Sequence, residues 1–269
     1  MTIIDSHCHP QFSQYDADRK EIITRAESAG IGMICVGTDL ETSKQAIELA
    51  NKNNGVWATV GIHPNAVDEY FNTNTLVMFE SLCKDPKVVA IGEVGLDYYR
   101  TPESEKQEMQ KKVLTMFLDL AVRQNKPVII HSRDAGKGSL GRVHSDMISV
   151  LESVNCKLET KNPPLRGVAH SFTGTIAEAQ KYLDLGFYLG FNGIITFTDQ
   201  YNEMIKTVPL DRILLETDAP YLAPKTKRGQ RNESVYITEV GDKIAKIKNI
   251  EIAKVFEMTT ENTKILFRI

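Results

Sequence analysis

Short apolar runs recur along the chain, with helix-period stripes filling the gaps between them. Ile3–His9, Met33–Asp39, Val56–Pro64, Val88–Asp97, Pro127–Arg133, Gly167–Gly174, Phe187–Asn192 and Arg212–Tyr221 read as strands. Several of them, such as Val88-Val89-Ala90-Ile91 and Val128-Ile129-Ile130, are apolar at every position. A strand covered on both faces needs that pattern, and parallel strands between helical layers are the usual case. The intervening stretches repeat apolar residues at helical spacing. Asp18–Gly30 has them at 22, 23, 26 and 29 and stops at a glycine, the residue that best accepts the left-handed turn ending a helix. Thr42–Asn53, Glu103–Asn125, Ser145–Val154, Thr175–Leu185, Met204–Val208, Tyr236–Lys248 and Glu251–Leu266 complete the set. The longest carries Met109, Val113, Met116, Phe117, Leu120 and Ala121 on one stripe, and Thr175 and Glu178 have capping-box spacing. Eight strands alternating with helices predict an α/β fold, a (β/α)₈ TIM barrel, with residues 1–269 as a single domain. The competing open, doubly wound sheet would show a glycine-rich phosphate loop after the first strand, and His7-Cys8-His9-Pro10 is not one.

Length agrees, since α/β barrels commonly run to about 250 residues as one domain. The chain has 269 residues, 42% hydrophobic and 25% charged, which is ordinary for a globular protein. Net charge is −3 and the pI about 6.1, so no global positive field marks a protein that coats nucleic acid. An enzyme whose positive charge is local, or supplied by metal ions, is not excluded. Cys8, Cys35, Cys83 and Cys156 are widely spaced and read as small buried hydrophobes without a disulfide. No secretory signal opens the chain, and no apolar run approaches the roughly 20 residues of a membrane span. The expectation is a cytoplasmic protein, or a nuclear one in a eukaryote, with no membrane contact and no obligatory protein partner.

Chemistry enters at the strand ends. Side chains on a strand alternate faces, so His7 and His9 point the same way. Gly61-Ile62-His63-Pro64, Gly92-Glu93-Val94-Gly95-Leu96-Asp97, His131-Ser132-Arg133, His170-Ser171-Phe172 and Glu216-Thr217-Asp218 close later strands. Five of the six histidines thus fall at predicted strand C-termini, the rim where barrel active sites are built; His144 falls in a polar loop. Four imidazoles and two carboxylates at one rim bury poorly unless cations organise them. Nitrogen and carboxylate oxygen, with no thiolate facing in, suit Mg, Mn or Zn. That ligand set is too large for one tetrahedral ion and matches two ions sharing a carboxylate, the arrangement of a two-metal hydrolase.

These motifs, together with Glu216-Thr217-Asp218-Ala219-Pro220-Tyr221-Leu222 and Arg228-Gly229-Gln230-Arg231-Asn232-Glu233, resemble the TatD family of metal-dependent deoxyribonucleases across essentially the whole chain. The resemblance implies two divalent cations bridged by Glu93, one held by His7, His9 and Asp218 and the other by His131 and His170. It implies that Asp218 also serves as proton acceptor for the attacking water, with Glu93 as its catalytic partner. His63 and Arg133 are then phosphate contacts, and the cations of Lys225–Arg231, Arg228 and Arg231 among them, bind the DNA backbone. Asp97 and Glu216 are additional carboxylates, open between orienting the histidines and holding a further metal. Three departures stand out. Ser234 occupies the family's proline position, which should loosen the turn into the penultimate helix, and the loops Asp134–His144 and Asn155–Leu165 are enlarged.

The leading functional expectation is metal-dependent hydrolysis of DNA phosphodiester bonds, as an exonuclease acting on single-stranded or frayed ends. The alternative keeps the metals and changes the bond: an amidohydrolase or esterase, such as an aminoacyl-tRNA ester hydrolase. Arg133 and the basic run count against a small neutral substrate. A non-catalytic barrel would have lost a ligand, and none is missing.

Overall fold

The structure is a computed structural model describing residues 3–71, 73–136, 142–157 and 164–269. Strands β1 (Ile3–Cys8), β2 (Ile31–Val36), β3 (Val56–Val60), β4 (Val88–Asp97), β5 (Val128–Arg133), β6 (Gly167–Ala169), β7 (Tyr188–Phe191) and β8 (Ile213–Leu215) form one sheet in sequence order. All seven neighbouring pairs are parallel. The sheet curls until β8 meets β1. There Ser6 Oγ donates to Leu215 O (2.9 Å), Asp218 N to His7 O (2.9 Å) and His9 N to Ala219 O (2.7 Å). The eight strands and the helices between them form the nearly closed barrel that the apolar pattern predicts.

Helices α1 (Arg19–Ser28), α2 (Leu40–Lys52), α3 (Val67–Tyr70), α4 (Thr73–Leu82), α5 (Ser104–Arg123), α6 (Arg142–Lys157), α7 (Ile176–Asp184), α8 (Asn202–Thr207), α9 (Ile237–Lys248) and α10 (Ile252–Phe267) surround it. The capping box at Thr175 and Glu178 is formed, and Asp39 with Thr42 makes a second one at α2. Outward residues such as Met33, Cys35, Val128 and Ile130 join the large core under the helices. Inward residues Ile4, Ile34, Ile129 and Leu214 form a smaller cluster with Leu266 and Phe267 at the end of α10. Among the described residues, no helix is long and apolar enough to cross a membrane.

Several expectations change. Helix α4 packs Leu76, Phe79 and Leu82 on the core at helical spacing, a stripe that the exposed Val77 and Met78 between them obscure in the sequence. Strands β3, β6 and β8 stop short of His63, His170 and Asp218, which occupy the loops just beyond. Ser171 and Asp218 have φ of 50° and 56°, which turns the chain out of strand geometry. His144 is not in a loop. It is a buried residue of α6 whose Nδ1 lies 3.0 Å from Tyr182 Oη. All four cysteines are free, but Cys156 is exposed rather than buried. At Ser234 the turn into α9 is intact, with Tyr236 N donating to Glu233 O (2.9 Å). Of the two enlarged loops, residues 137–141 and 158–163 lie outside the described residues.

Candidate metal centre

At the C-terminal ends of the strands, residues from five other parts of the sequence gather around Glu93. This side chain is buried, and its two oxygens face different partners. Oε2 lies 3.4 Å from His7 Nε2. Oε1 lies 2.8 Å from His131 Nδ1, 3.6 Å from His63 Nε2 and 3.7 Å from His170 Nε2. Asp218 completes the first side, with Oδ1 3.4 Å from His9 Nε2 and 3.7 Å from His7 Nε2. Two groups of three donors thus share one carboxylate: His7, His9 and Glu93, and Glu93, His131 and His170.

Tautomers show what these groups are built to hold. His9 Nδ1 lies 2.7 Å from the carbonyl oxygen of Val36, so it carries the hydrogen and Nε2 presents a lone pair. His170 Nδ1 faces Glu216 Oε1 at 3.0 Å, and His131 Nε2 faces Asp97 Oδ2 at 3.5 Å. In a neutral His170 ring the hydrogen belongs on the Glu216 side and Nε2 points a lone pair toward Glu93, whereas both nitrogens of His131 face a carboxylate, Nδ1 the nearer at 2.8 Å from Glu93. His7 Nε2 and His9 Nε2 sit 3.2 Å apart. Either His7 Nε2 carries the hydrogen and donates to His9 Nε2, or two lone pairs face each other beside a buried carboxylate and repel unless a cation lies among them. A divalent ion bound by nitrogen and oxygen fits this donor set.

Asp97 and Glu216 thus lie behind the His131 and His170 rings, the position of a carboxylate that orients a metal-binding imidazole. Both are anchored in turn. Glu216 Oε1 accepts from Ser171 N (2.7 Å) and Asn192 Nδ2 (3.1 Å). Asp97 accepts from Arg100 N (2.8 Å) and Asn65 Nδ2 (3.1 Å). His63 differs from the other rings. Its Nδ1 accepts from Asn65 N (3.1 Å), which leaves the hydrogen on Nε2, a donor facing the cavity rather than a metal ligand.

The charges follow this arrangement. Burial pushes the Glu93 carboxyl up, but the surrounding His63, His7, His131 and His170 hold it well below the ordinary value. For Asp218 burial acts the same way, and His9, His170 and His7 hold it down. Burial also lowers His63, to about 4, so its ring is neutral near pH 7. For His170 burial is outweighed by Glu216, Glu93 and Asp218, which push it up to about 10. His131 is raised against burial by Asp97 and Glu93. Without a metal, protons balance the carboxylates that a divalent cation would otherwise neutralise.

The centre floors a cavity of about 880 Å³ lined by His63, Arg133, Arg100, Lys106, Phe12 and Tyr221 among others. Arg133 is exposed and lies over the Tyr99 ring at 4.2 Å. Arg228 and Arg231 do not line it. The Arg231 fork is spent on Asp18 (2.8 and 2.5 Å) over the Tyr15 ring, and Arg228 is exposed beyond a 3₁₀ turn, Lys225–Lys227. Arg100 and Lys106 were not evident as lining residues from the sequence; the one available signal is their place in the segment following Asp97.

The chain as a whole has known relatives. A sequence profile described as TatD related DNase matches residues 4–268. The metal-dependent hydrolase YabD of Bacillus subtilis is 35% identical, covering 99% of this chain and 99% of its own. The 3'-5' ssDNA/RNA exonuclease TatD of Klebsiella pneumoniae is 32% identical, over 96% of this chain and 94% of its own. The crystal structure of YJJV, a TatD homologue from Escherichia coli, superposes with a TM-score of 0.87 at 28% identity, covering 100% of this chain and 98% of that one.

Proposed function

The chain belongs to the TatD related DNase family of metal-dependent hydrolases, and on that premise we propose that it is a two-metal exonuclease removing nucleotides from the 3′ end of single-stranded DNA or RNA. The observation that carries this reading is the division of Glu93, with Oε2 toward His7 and Oε1 toward His131 and His170. One carboxylate between two sets of imidazole nitrogens matches a pair of cations sharing a ligand. Two relatives named as 3'-5' ssDNA/RNA exonucleases, 32% and 34% identical, support the substrate and the direction.

Divalent cations held there supply Lewis acidity, acidifying a water and neutralising charge that grows on phosphate oxygens. The chain's residues do the rest. Asp218 stays ionised and, at the edge of the cavity, accepts the proton that the attacking water gives up. His63 Nε2 donates to a non-bridging phosphate oxygen, since its partner at Nδ1 fixes the hydrogen there. Arg133 adds a planar fork for the same group, its face already fixed over Tyr99. Arg100, Lys106 and Arg133 in one cavity favour a polyanion over the small neutral substrate of an amidohydrolase.

Incubating the protein with a 5′-labelled single-stranded oligonucleotide and Mg or Mn tests the proposal. The expected result is a ladder shortening from the 3′ end, silenced by EDTA and lost in Glu93→Gln. Chelator-resistant cleavage, or near wild-type turnover by Glu93→Gln, would refute it. Brisk hydrolysis of an aminoacyl ester with none of DNA or RNA would transfer the metals to the other chemistry.

A further inference from the structure

The cavity mouth is polarised in a way that the metal chemistry does not require. In an eight-stranded barrel, the loops after β8 and β1 face those after β4 and β5. The β4–β5 side presents Arg100 and Arg133, with Lys106 paired to Asp68 at 3.5 Å beside them. The opposite side presents Phe12, which follows β1, and Tyr221 and Leu222, which follow β8. Tyr221 is 47% and Leu222 38% exposed, so both show apolar surface to whatever enters.

These side chains are held, not merely exposed. Phe12 stacks on the His9 ring, with centroids 4.4 Å apart and planes 11° apart, and Tyr221 meets Phe12 edge-on at 6.4 Å. The shelf is therefore continuous with a ligand of the metal centre. Buried Asn232 clamps the segment behind it, donating from Nδ2 to Tyr221 O (2.6 Å) and Thr217 O (2.9 Å). Leu222 has φ of 53°, a conformation that a leucine keeps only when its surroundings enforce it. Gly193 leaves room for this turn, because a Cβ there would lie 2.1 Å from Leu222 O. Tyr221 Oη pairs with Gln14 Nε2 at 3.2 Å, at the outer edge of the ring.

We propose that Tyr221, Leu222 and Phe12 form a stacking shelf for the unpaired base of the terminal nucleotide, with the cationic wall opposite receiving the backbone of the strand behind it. This rests on the nuclease reading above and deepens it by naming how the substrate end is recognised. Every base has a π face, so such a shelf accepts all four without reading their edges. A base still paired and stacked in a duplex cannot reach it. Preference for unpaired ends then comes from the shelf rather than from the metals.

The test compares a single-stranded oligonucleotide with the same strand ending in an abasic residue. The wild-type protein is expected to remove the normal 3′ nucleotide about tenfold faster or more, on the scale of base–aromatic stacking. That ratio should fall to near one in Tyr221→Ala and return in Tyr221→Phe. Equal wild-type rates on the two ends, or a ratio that survives Tyr221→Ala, would overturn the proposal. A terminal 2-aminopurine on a hydrolysis-resistant phosphorothioate linkage gives a readout independent of turnover. Its fluorescence should be quenched by the wild-type protein and not by Tyr221→Ala. Quenching without nuclease activity on any oligonucleotide would sink the nuclease reading and keep the shelf; turnover indifferent to the terminal base would do the reverse.

Discussion

Replacing Glu216 by Gln separates a carboxylate that orients a ligand from one that is itself a ligand. Glu216 is fully buried, with Oε1 3.0 Å from His170 Nδ1. Ser171 N and Asn192 Nδ2 donate to the same oxygen, so glutamine can keep its oxygen there and preserve the local geometry. What disappears is the negative charge behind the imidazole, the main influence raising His170 to about 10 against burial. His170 then becomes a weaker donor at Nε2, the nitrogen that faces Glu93 at 3.7 Å. Changes to carboxylates behind metal-binding histidines reduce metal affinity or activity by about 10- to 100-fold, or roughly 1.4 to 2.8 kcal/mol. The assay is hydrolysis of a labelled oligonucleotide against free metal concentration, buffered with a chelator. The half-saturating metal concentration should rise by about that factor, with the maximal rate largely restored at high metal. An unchanged metal curve would refute the orienting role. Activity beyond rescue at any metal concentration, in a variant with wild-type circular dichroism, would make Glu216 a ligand.

Other consequences are open to simpler measurements. His170, raised to about 10, carries a proton near pH 7 in the metal-free protein, so metal loading must release it. Raising pH weakens that competition, and apparent metal affinity should climb with pH between 6 and 8 by about tenfold per unit for each proton released. Calorimetry in buffers of different ionisation enthalpy counts the protons, and a count of zero would contradict the charge assignment. Gly95→Ala puts a Cβ 2.0 Å from His131 O, backbone that cannot move without separating β4 from β5. A loss of about 1 to 3 kcal/mol in denaturant unfolding is expected, with reduced activity; an unchanged midpoint would refute that packing. Arg231→Ala removes an ion pair with Asp18 and leaves the cavity lining intact, so the KM for oligonucleotide should hold while the melting temperature falls slightly. A large rise in KM would return Arg231 to the substrate.

The barrel was legible because buried parallel strands leave uninterrupted apolar runs, and Val88–Ile91 and Val128–Ile130 could hardly be anything else. The residues now gathered at the rim were legible because histidine is sparse and five of six fell in phase with strand ends. Hidden features were of three kinds. Helix α4 packs Leu76, Phe79 and Leu82 on the core at helical spacing, but the exposed Val77 and Met78 between them blur the stripe in the sequence. For Asp97 and Glu216 the sequence leaves orienting a histidine and holding a further metal open, and the 3.5 and 3.0 Å approaches to ring nitrogens favour the first. The cationic run 225–231 appeared to face the substrate because it follows Asp218 closely. Within that run Arg231 pairs with Asp18 before α1 and Thr226 with Glu239 of α9, and charge sequence alone does not give the direction of a loop.

Anomalous diffraction from crystals grown with Mn or Zn bears most directly on the centre. Two peaks are expected, one on each side of Glu93, bonded through Oε2 and Oε1 to the His7–His9 and His131–His170 sets respectively. A single peak, or a second ion held by Asp97 and Glu216 instead of Glu93, would contradict the shared-carboxylate centre on which the hydrolytic function rests.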